Sequence, residues 1–460
     1  MERFVNREDE LSRLRGCYES DDAELVVLFG RRRLGKTKLV QHSLADRDDA
    51  VVYQATETTS QVQLDEFVDV AAETYPEIQT IKRDWEALLG YLGDRDAIVV
   101  LDEFPYLIDA DRSLPSVIQR LWDQRLQQTA GTLVLVGSSI SMMEEATLLG
   151  SSPLYGRFTA KLDLRPLGFA GAQAFLPDDY SPEDRLFAWG IFGGVPYYLD
   201  GIDLDRDLGT VLTEAVCSRK GYLHNEPEYV LRTELTDPNR YFAILTAIAG
   251  GKTTSNEIAQ AVGIDGKQIS SYTKKLERLR LVERDVPITE DKATSRRGRY
   301  RILDPLFRFW FRFVYGAEDR YERLGADAYE AIIEPELPDF VSHEFEALCQ
   351  DALPNLYPDE TFLDVGRWWY KGHEVDVVGF TVDGTMIAGE CKFTSAPLDY
   401  GALSSLEDHA SEIRWTPDTG DTDAEYALFT RSGATRSVRE AVAERDDLRL
   451  FDLEDVTRHA

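Results

Sequence analysis

The chain has 460 residues, too many for a single core, and an apolar content of 43% is ample for two or three folded domains. Its net charge of −32 is spread along the chain, and only 12 of its 51 basic residues are lysine. This excludes a generally basic, nucleic-acid-coating protein and suits a halophilic chain in a high-salt cytoplasm, where screening mutes self-repulsion. Four cysteines (Cys17, Cys217, Cys349, Cys391) lie far apart with no C-x-x-C, so neither a disulfide framework nor a zinc site is expected. There is no signal peptide and no apolar run of about 18 residues, so a soluble, cytoplasmic protein without membrane contact is expected.

FVNREDEL leads into an expected helix over 7–19. Leu25–Phe29 is an apolar run that reads as a buried parallel strand. Gly30–Thr37 then fits G-x-x-x-x-G-K-[ST], and KLVQHSL continues as a helix. Strand, glycine loop and helix in this order are what a phosphate-binding loop requires. Gly30 and Gly35 let successive N–H groups point inward at phosphate oxygens, and the positive end of the following helix adds to that field. Arg31, Arg32, Arg33 and Leu34 fill the variable loop positions, and Lys38 follows on the helix. Lys36 is expected at the β- and γ-phosphates, and Thr37 is expected to offer its hydroxyl to Mg²⁺.

AVVYQAT (50–56) is a second strand candidate, followed by helical sequence to about residue 92. AIVVLDEFPYL then places Asp102 and Glu103 where an apolar strand ends, the place ligands occupy in open parallel sheets. Asp102 is suited to the Mg²⁺ shell, and Glu103 to orienting or deprotonating the attacking water. A further strand, TLVLVGSSI (132–140), ends in Ser138 and Ser139; one of them is a candidate γ-phosphate sensor, although Gly-Ser-Ser is also ordinary turn chemistry. Arg157, in SPLYGRFT, is either an arginine finger on a neighbouring subunit's nucleotide, which makes the protein a homo-oligomer, or a plain surface arginine. GGVPYYL (193–199) reads as a turn entering a helix.

GRRRLGKT, VVLDEFPYL, VLVGSS, SPLYGRFT and GGVPYYL in this order resemble the archaeal/bacterial ATPase family of the AAA+/STAND group of P-loop NTPases, over residues 1–240 or so. The resemblance implies ATP as substrate, Mg²⁺ as cofactor and ATP hydrolysis as the activity. The family usually has Gly where this chain has Asn6.

From 240 to 315, YFAILTAIA, SNEIAQAVG and KQISSYTKKLERLRLV give three helical patterns with glycine breaks, then a strand-like return ending at RYRILD. That is the layout of a winged helix-turn-helix. Between 266 and 301 there are 11 basic and 5 acidic residues, a net of +6 inside a chain of −32. Lys267, Lys274 and Lys275 on the third helix, and Arg296, Arg297 and Arg299 on the wing, are the candidate DNA-phosphate contacts. Two other readings stay open: the patch docks onto an acidic face of the same chain, or the module only transmits motion.

FVSHEFEALCQDAL (340–353) reads as an amphipathic helix carrying Glu344 and Glu346. HEVDVVGF (373–380) and TMIAGECKF (385–393) read as two strands joined at Val382-Asp383-Gly384. Alternation puts Glu390 and Lys392 on one face, with Asp376 on the strand beside them. Asp376 and Glu390 are candidate Mg²⁺ ligands, and the lysine can stabilise charge developing at a phosphodiester. The pattern D-(x)13-E-x-K resembles the PD-(D/E)XK nuclease family, which implies a helix glutamate, Glu346 before Glu344, completing the site. His373 is expected to be a strand-end surface residue. The expected fold is α/β. A P-loop ATPase domain with a helical lid spans 1–235, a winged helix 236–315 and a PD-(D/E)XK-like α/β domain 316–460.

Overall fold

The computed structural model describes residues 4–235, 237–415 and 423–460. They fall into two compact units: the chain up to Pro166 with Val195–Tyr197, and Leu167–Gly194 with Tyr198–Ala460.

In the first unit, β1 (Glu24–Phe29), β2 (Ala50–Gln54), β3 (Ile98–Asp102), β4 (Thr132–Gly137) and β5 (Ala160–Asp163) form one sheet in the order β2-β3-β4-β1-β5. Every neighbouring pair is parallel. Both faces are covered, so the central strands read as unbroken apolar runs, and Leu25, Val26, Val27 and Leu28 have no exposed surface. Helices Ser60–Ala72, Trp85–Gly93 and Leu114–Gln124 deliver Phe67, Trp85, Leu88, Leu92 and Ile118 onto Leu25, Val27, Leu101 and Leu135. Each such side chain contributes about 1.5–3 kcal/mol of transfer free energy. The winding reverses beside β1, whose neighbours are β4 and β5, and in open parallel sheets the carboxyl ends of the strands at such a point are where ligands bind. Asn6 lies at φ 51°, so the position favours glycine and asparagine is the side chain that tolerates it best.

In the second unit, helices Pro238–Ala249, Ser255–Val262 and Gly266–Arg278 precede an antiparallel ribbon of β6 (Val282–Asp285) and β7 (Arg299–Ile302). Local chemistry sets these helix ends. Thr254 and Glu257 form a capping box, Gly263 closes its helix at φ 70°, and the Asp265 carboxylate accepts the Lys267 N–H. A 20-residue helix, Leu337–Leu356, then leads to β8 (Phe362–Tyr370), β9 (His373–Thr381), β10 (Thr385–Lys392), β11 (Asp423–Thr430) and β12 (Leu448–Asp452). Their order is β12-β11-β10-β9-β8. The β8–β9–β10 meander is antiparallel, and β11 and β12 add in parallel. Gly384 makes the β9–β10 turn at φ 96°. Val378, Ala388, Leu403, Leu406, Leu428 and Val438 close the core between this sheet and the helices that cross it.

Candidate active site and a second carboxylate cluster

The loop after β1 turns where glycine is required. A Cβ on Gly30 would stand 2.5 Å from the Leu164 carbonyl oxygen, and Gly35 sits at φ 86° just ahead of helix Lys36–Ser43. Arg33 also lies at φ 74°, with its guanidinium 3.8 Å over the Tyr197 ring. Arg32 donates to the Tyr106 hydroxyl at 3.3 Å, and Leu34 is buried. Lys36 is 5% exposed, and its ammonium donates to the carbonyls of Gly30 and Arg31 at 2.9 Å each. It therefore lies across the mouth of the loop and not out in solvent. Arg31, Arg32, Arg33 and Lys38, its neighbours in sequence, are half-exposed, a run of positive charge on an otherwise acidic chain.

The carboxyl end of β3 faces this loop. The Thr37 hydroxyl donates to Asp102 Oδ2 at 2.7 Å, and the Glu103 N–H donates to Asp102 Oδ1 at 2.9 Å. Burial pushes the Asp102 carboxyl above its usual range, although these two hydrogen bonds pull the other way. Ser138, at the end of β4, donates to Glu103 Oε1 at 2.8 Å. Its hydroxyl therefore aims the Glu103 carboxylate, a role the sequence reading did not give it. The donor set fits a triphosphate with Mg²⁺: a hydroxyl and a buried carboxylate meet beside the loop that a lysine spans at the start of a helix. Arg157 lies apart from this group. It forms a two-bond ion pair with Asp123, Nε to Oδ1 and Nη2 to Oδ2, both 2.8 Å, and donates to the Pro153 carbonyl.

These parts define a P-loop NTPase. A family described as an ATPase domain predominantly from Archaea matches residues 4–202, and one of archaeal and bacterial proteins of unknown function matches residues 310–407. An uncharacterised protein of Methanocaldococcus jannaschii is 35% identical over 379 residues, covering 82% of this chain and 84% of its own length. An uncharacterised ATP-binding protein of the same organism is 43% identical over 44 residues, 10% of this chain and 75% of its own. The chain belongs to this archaeal P-loop ATPase family. A Walker-type ATPase of Pyrococcus abyssi shares the fold at a TM-score of 0.50 and 20% identity, covering 67% of this chain and 96% of that one.

In the second unit Asp376 on β9 and Glu390 and Lys392 on β10 lie on neighbouring strands. The Cys391 N–H on β10 donates to Asp376 Oδ2 on β9 at 3.0 Å, and Lys392 is ion-paired with Glu390. Glu346, on helix Leu337–Leu356, is near enough for its charge to act on Asp376, and Glu344, on the same helix, pairs with Arg308 at 3.3 Å. Asp376 is pushed up to about 7, first by burial and then by Glu346 and Glu390. Burial pushes Glu346 the same way, but His343, Arg367 and Arg308 together bring it below its usual range. Arg367 on β8 is the residue that sequence reasoning missed. Its Nη2 lies 3.1 Å from Glu346 Oε2 and 3.0 Å from Glu374 Oε1. The signal was present in GRWWY, a charged residue beside two tryptophans on a strand. The protein's own cations thus cover the carboxylates. Among the described residues no group of three or more His, Cys, Asp or Glu side chains is arranged to hold a metal ion, so Mg²⁺ does not fit this cluster as it stands. His373 is half-buried, its ring edge-on to His409 at 5.1 Å.

The basic island divides. Lys267, Lys274 and Arg296 are exposed, and Lys275 is half-exposed. Arg299 instead pairs with Glu374 at 2.7 Å and lies over Trp369, while Arg297 pairs with Glu290 at 2.5 Å and lies over Tyr370. For these two arginines the geometry is that of docking on the same chain. No helix among the described residues is long and apolar enough to cross a membrane.

Proposed function

We propose that this chain hydrolyses ATP in the crevice above β1 and β3 and uses that turnover to control a DNA-contacting C-terminal half. The observation that supports it most is the pairing of Thr37 with Asp102 beside a Glu103 held by Ser138, all facing the loop that Lys36 spans. Thr37 and Asp102 are the residues to hold Mg²⁺, which neutralises phosphate charge when bound. Lys36 exchanges two carbonyls for phosphate oxygens, a replacement of neutral acceptors by charged ones that favours the bound state. Glu103 accepts the proton of the attacking water, and Ser138 keeps that carboxylate from swinging away. Lys36→Ala tests this reading: ATP hydrolysis by the purified chain should vanish, and turnover at the native rate would refute it.

The three helices and ribbon over 238–302 are read as a winged helix that meets DNA through Lys267 and Lys274, with Arg296 in the segment that joins β6 to β7. A second reading, that the C-terminal module cleaves DNA, is favoured by the convergence of Glu346, Asp376, Glu390 and Lys392. Incubating the protein with plasmid DNA and Mn²⁺ at high salt tests it; nicking that Lys392→Ala stops supports cleavage, and intact plasmid leaves the switch without a blade.

A further inference from the structure

The carboxylate cluster is closed by a chain of charges that begins outside it. Arg299 on β7 pairs with Glu374 Oε1 at 2.7 Å, and the same oxygen takes Arg367 Nη2 at 3.0 Å. That Nη2 also stands 3.1 Å from Glu346 Oε2, the carboxylate whose charge helps raise Asp376. The backbone is pinned along the same line. The Ile288 N–H, between β6 and β7, donates to the Arg367 carbonyl at 2.8 Å, and Trp369 Nε1 donates to the Arg297 carbonyl at 3.2 Å. The hold on Glu346 is close but poorly aligned: its buried Oε2 makes no hydrogen bond, and neither does Arg367 Nε. A guanidinium that neutralises a carboxylate without satisfying it is a counter-ion another cation can replace.

We propose that Arg367 takes the place of a divalent cation among Glu346, Asp376 and Glu390, and that the β6–β7 ribbon holds it there through Arg299 and Glu374. This rests on reading the cluster as a metal-dependent cleavage site. The C-terminal module is then self-inhibited, and moving the ribbon frees the carboxylates.

The test is a Mn²⁺ titration of the full chain without nucleotide, followed by the loss of the free-ion electron paramagnetic resonance signal. Arg367→Met and Arg299→Gln should each tighten Mn²⁺ binding by about fivefold or more, the lower end of ordinary coupling between competing ligands. Adding Asp376→Asn should erase the gain in both backgrounds. Should Arg367→Met fail to fold, Arg299→Gln decides, because it leaves Arg367 in place and removes only its anchor. If Asp376→Asn weakens binding but neither arginine change tightens it, the metal site stands and the gate is refuted. If Asp376→Asn alters no isotherm, the metal-site reading itself is refuted, and the gate with it.

Discussion

The phosphate loop and the C-terminal cluster use the same kinds of group, a long cation beside carboxylates at strand ends, yet they balance charge in opposite ways. At the loop, Lys36 leans on two neutral carbonyls, and Asp102 takes its hydrogen bonds from a hydroxyl and an N–H. In the cluster, Arg367 and Lys392 lie directly on Glu346, Glu374 and Glu390. Neutral partners are exchanged readily for a charged ligand, whereas a cation already paired with carboxylates has to be displaced before another can enter. The first site presents a lysine held by carbonyls; in the second an arginine of the protein itself stands where another cation would have to enter.

The largest effects should break the receptive site. Glu103→Gln is expected to lower ATP turnover by about 10²–10⁴-fold while ATP still binds, and Lys36→Ala by at least about 10²–10³-fold, in a phosphate-release assay. A Glu103→Gln protein that hydrolyses normally would move the base elsewhere. Next comes the closed site. Glu346→Gln leaves Arg367 with one carboxylate fewer and should lower the unfolding free energy by about 1–3 kcal/mol in a urea titration. No loss would mean that the pair is looser than its 3.1 Å suggests. On the ribbon side, Lys267→Glu with Lys274→Glu should weaken duplex binding and reduce the salt slope by about 0.9 per lost phosphate contact. An unchanged slope would assign that helix to something other than DNA. The smallest effect belongs to Asp123→Ala. It releases Arg157 from an exposed pair, should cost less than about 1 kcal/mol of stability and should leave hydrolysis at or above the native rate.

Much of the first unit was legible because buried parallel strands are apolar on both faces: 25–29, 98–102 and 132–137 stand out as runs, and Asp102 and Glu103 are where such a run stops. β5 was missed for the converse reason. It is a four-residue edge strand whose Lys161 faces solvent, so no run marks it. The carboxylates of the cluster could be read because alternation along β10 fixes the face of Glu390 and Lys392. Their counter-ions could not, because Arg367 and Glu374 meet through the register of β8 on β9, which local pattern does not encode. The same holds for the basic island. Composition finds +6 charges, but only tertiary contact shows that Arg297 and Arg299 are engaged by Glu290 and Glu374.

Glu103 sits at φ 53° and ψ 44°, a left-handed backbone that glycine adopts freely and glutamate only with strain, at a cost of about 1 kcal/mol or more. Glycine at this position should therefore yield a protein that melts later and turns over nothing. If Glu103 is the base proposed above, robustness and chemistry compete here for a single residue, and a left-handed backbone is kept for the sake of its carboxylate.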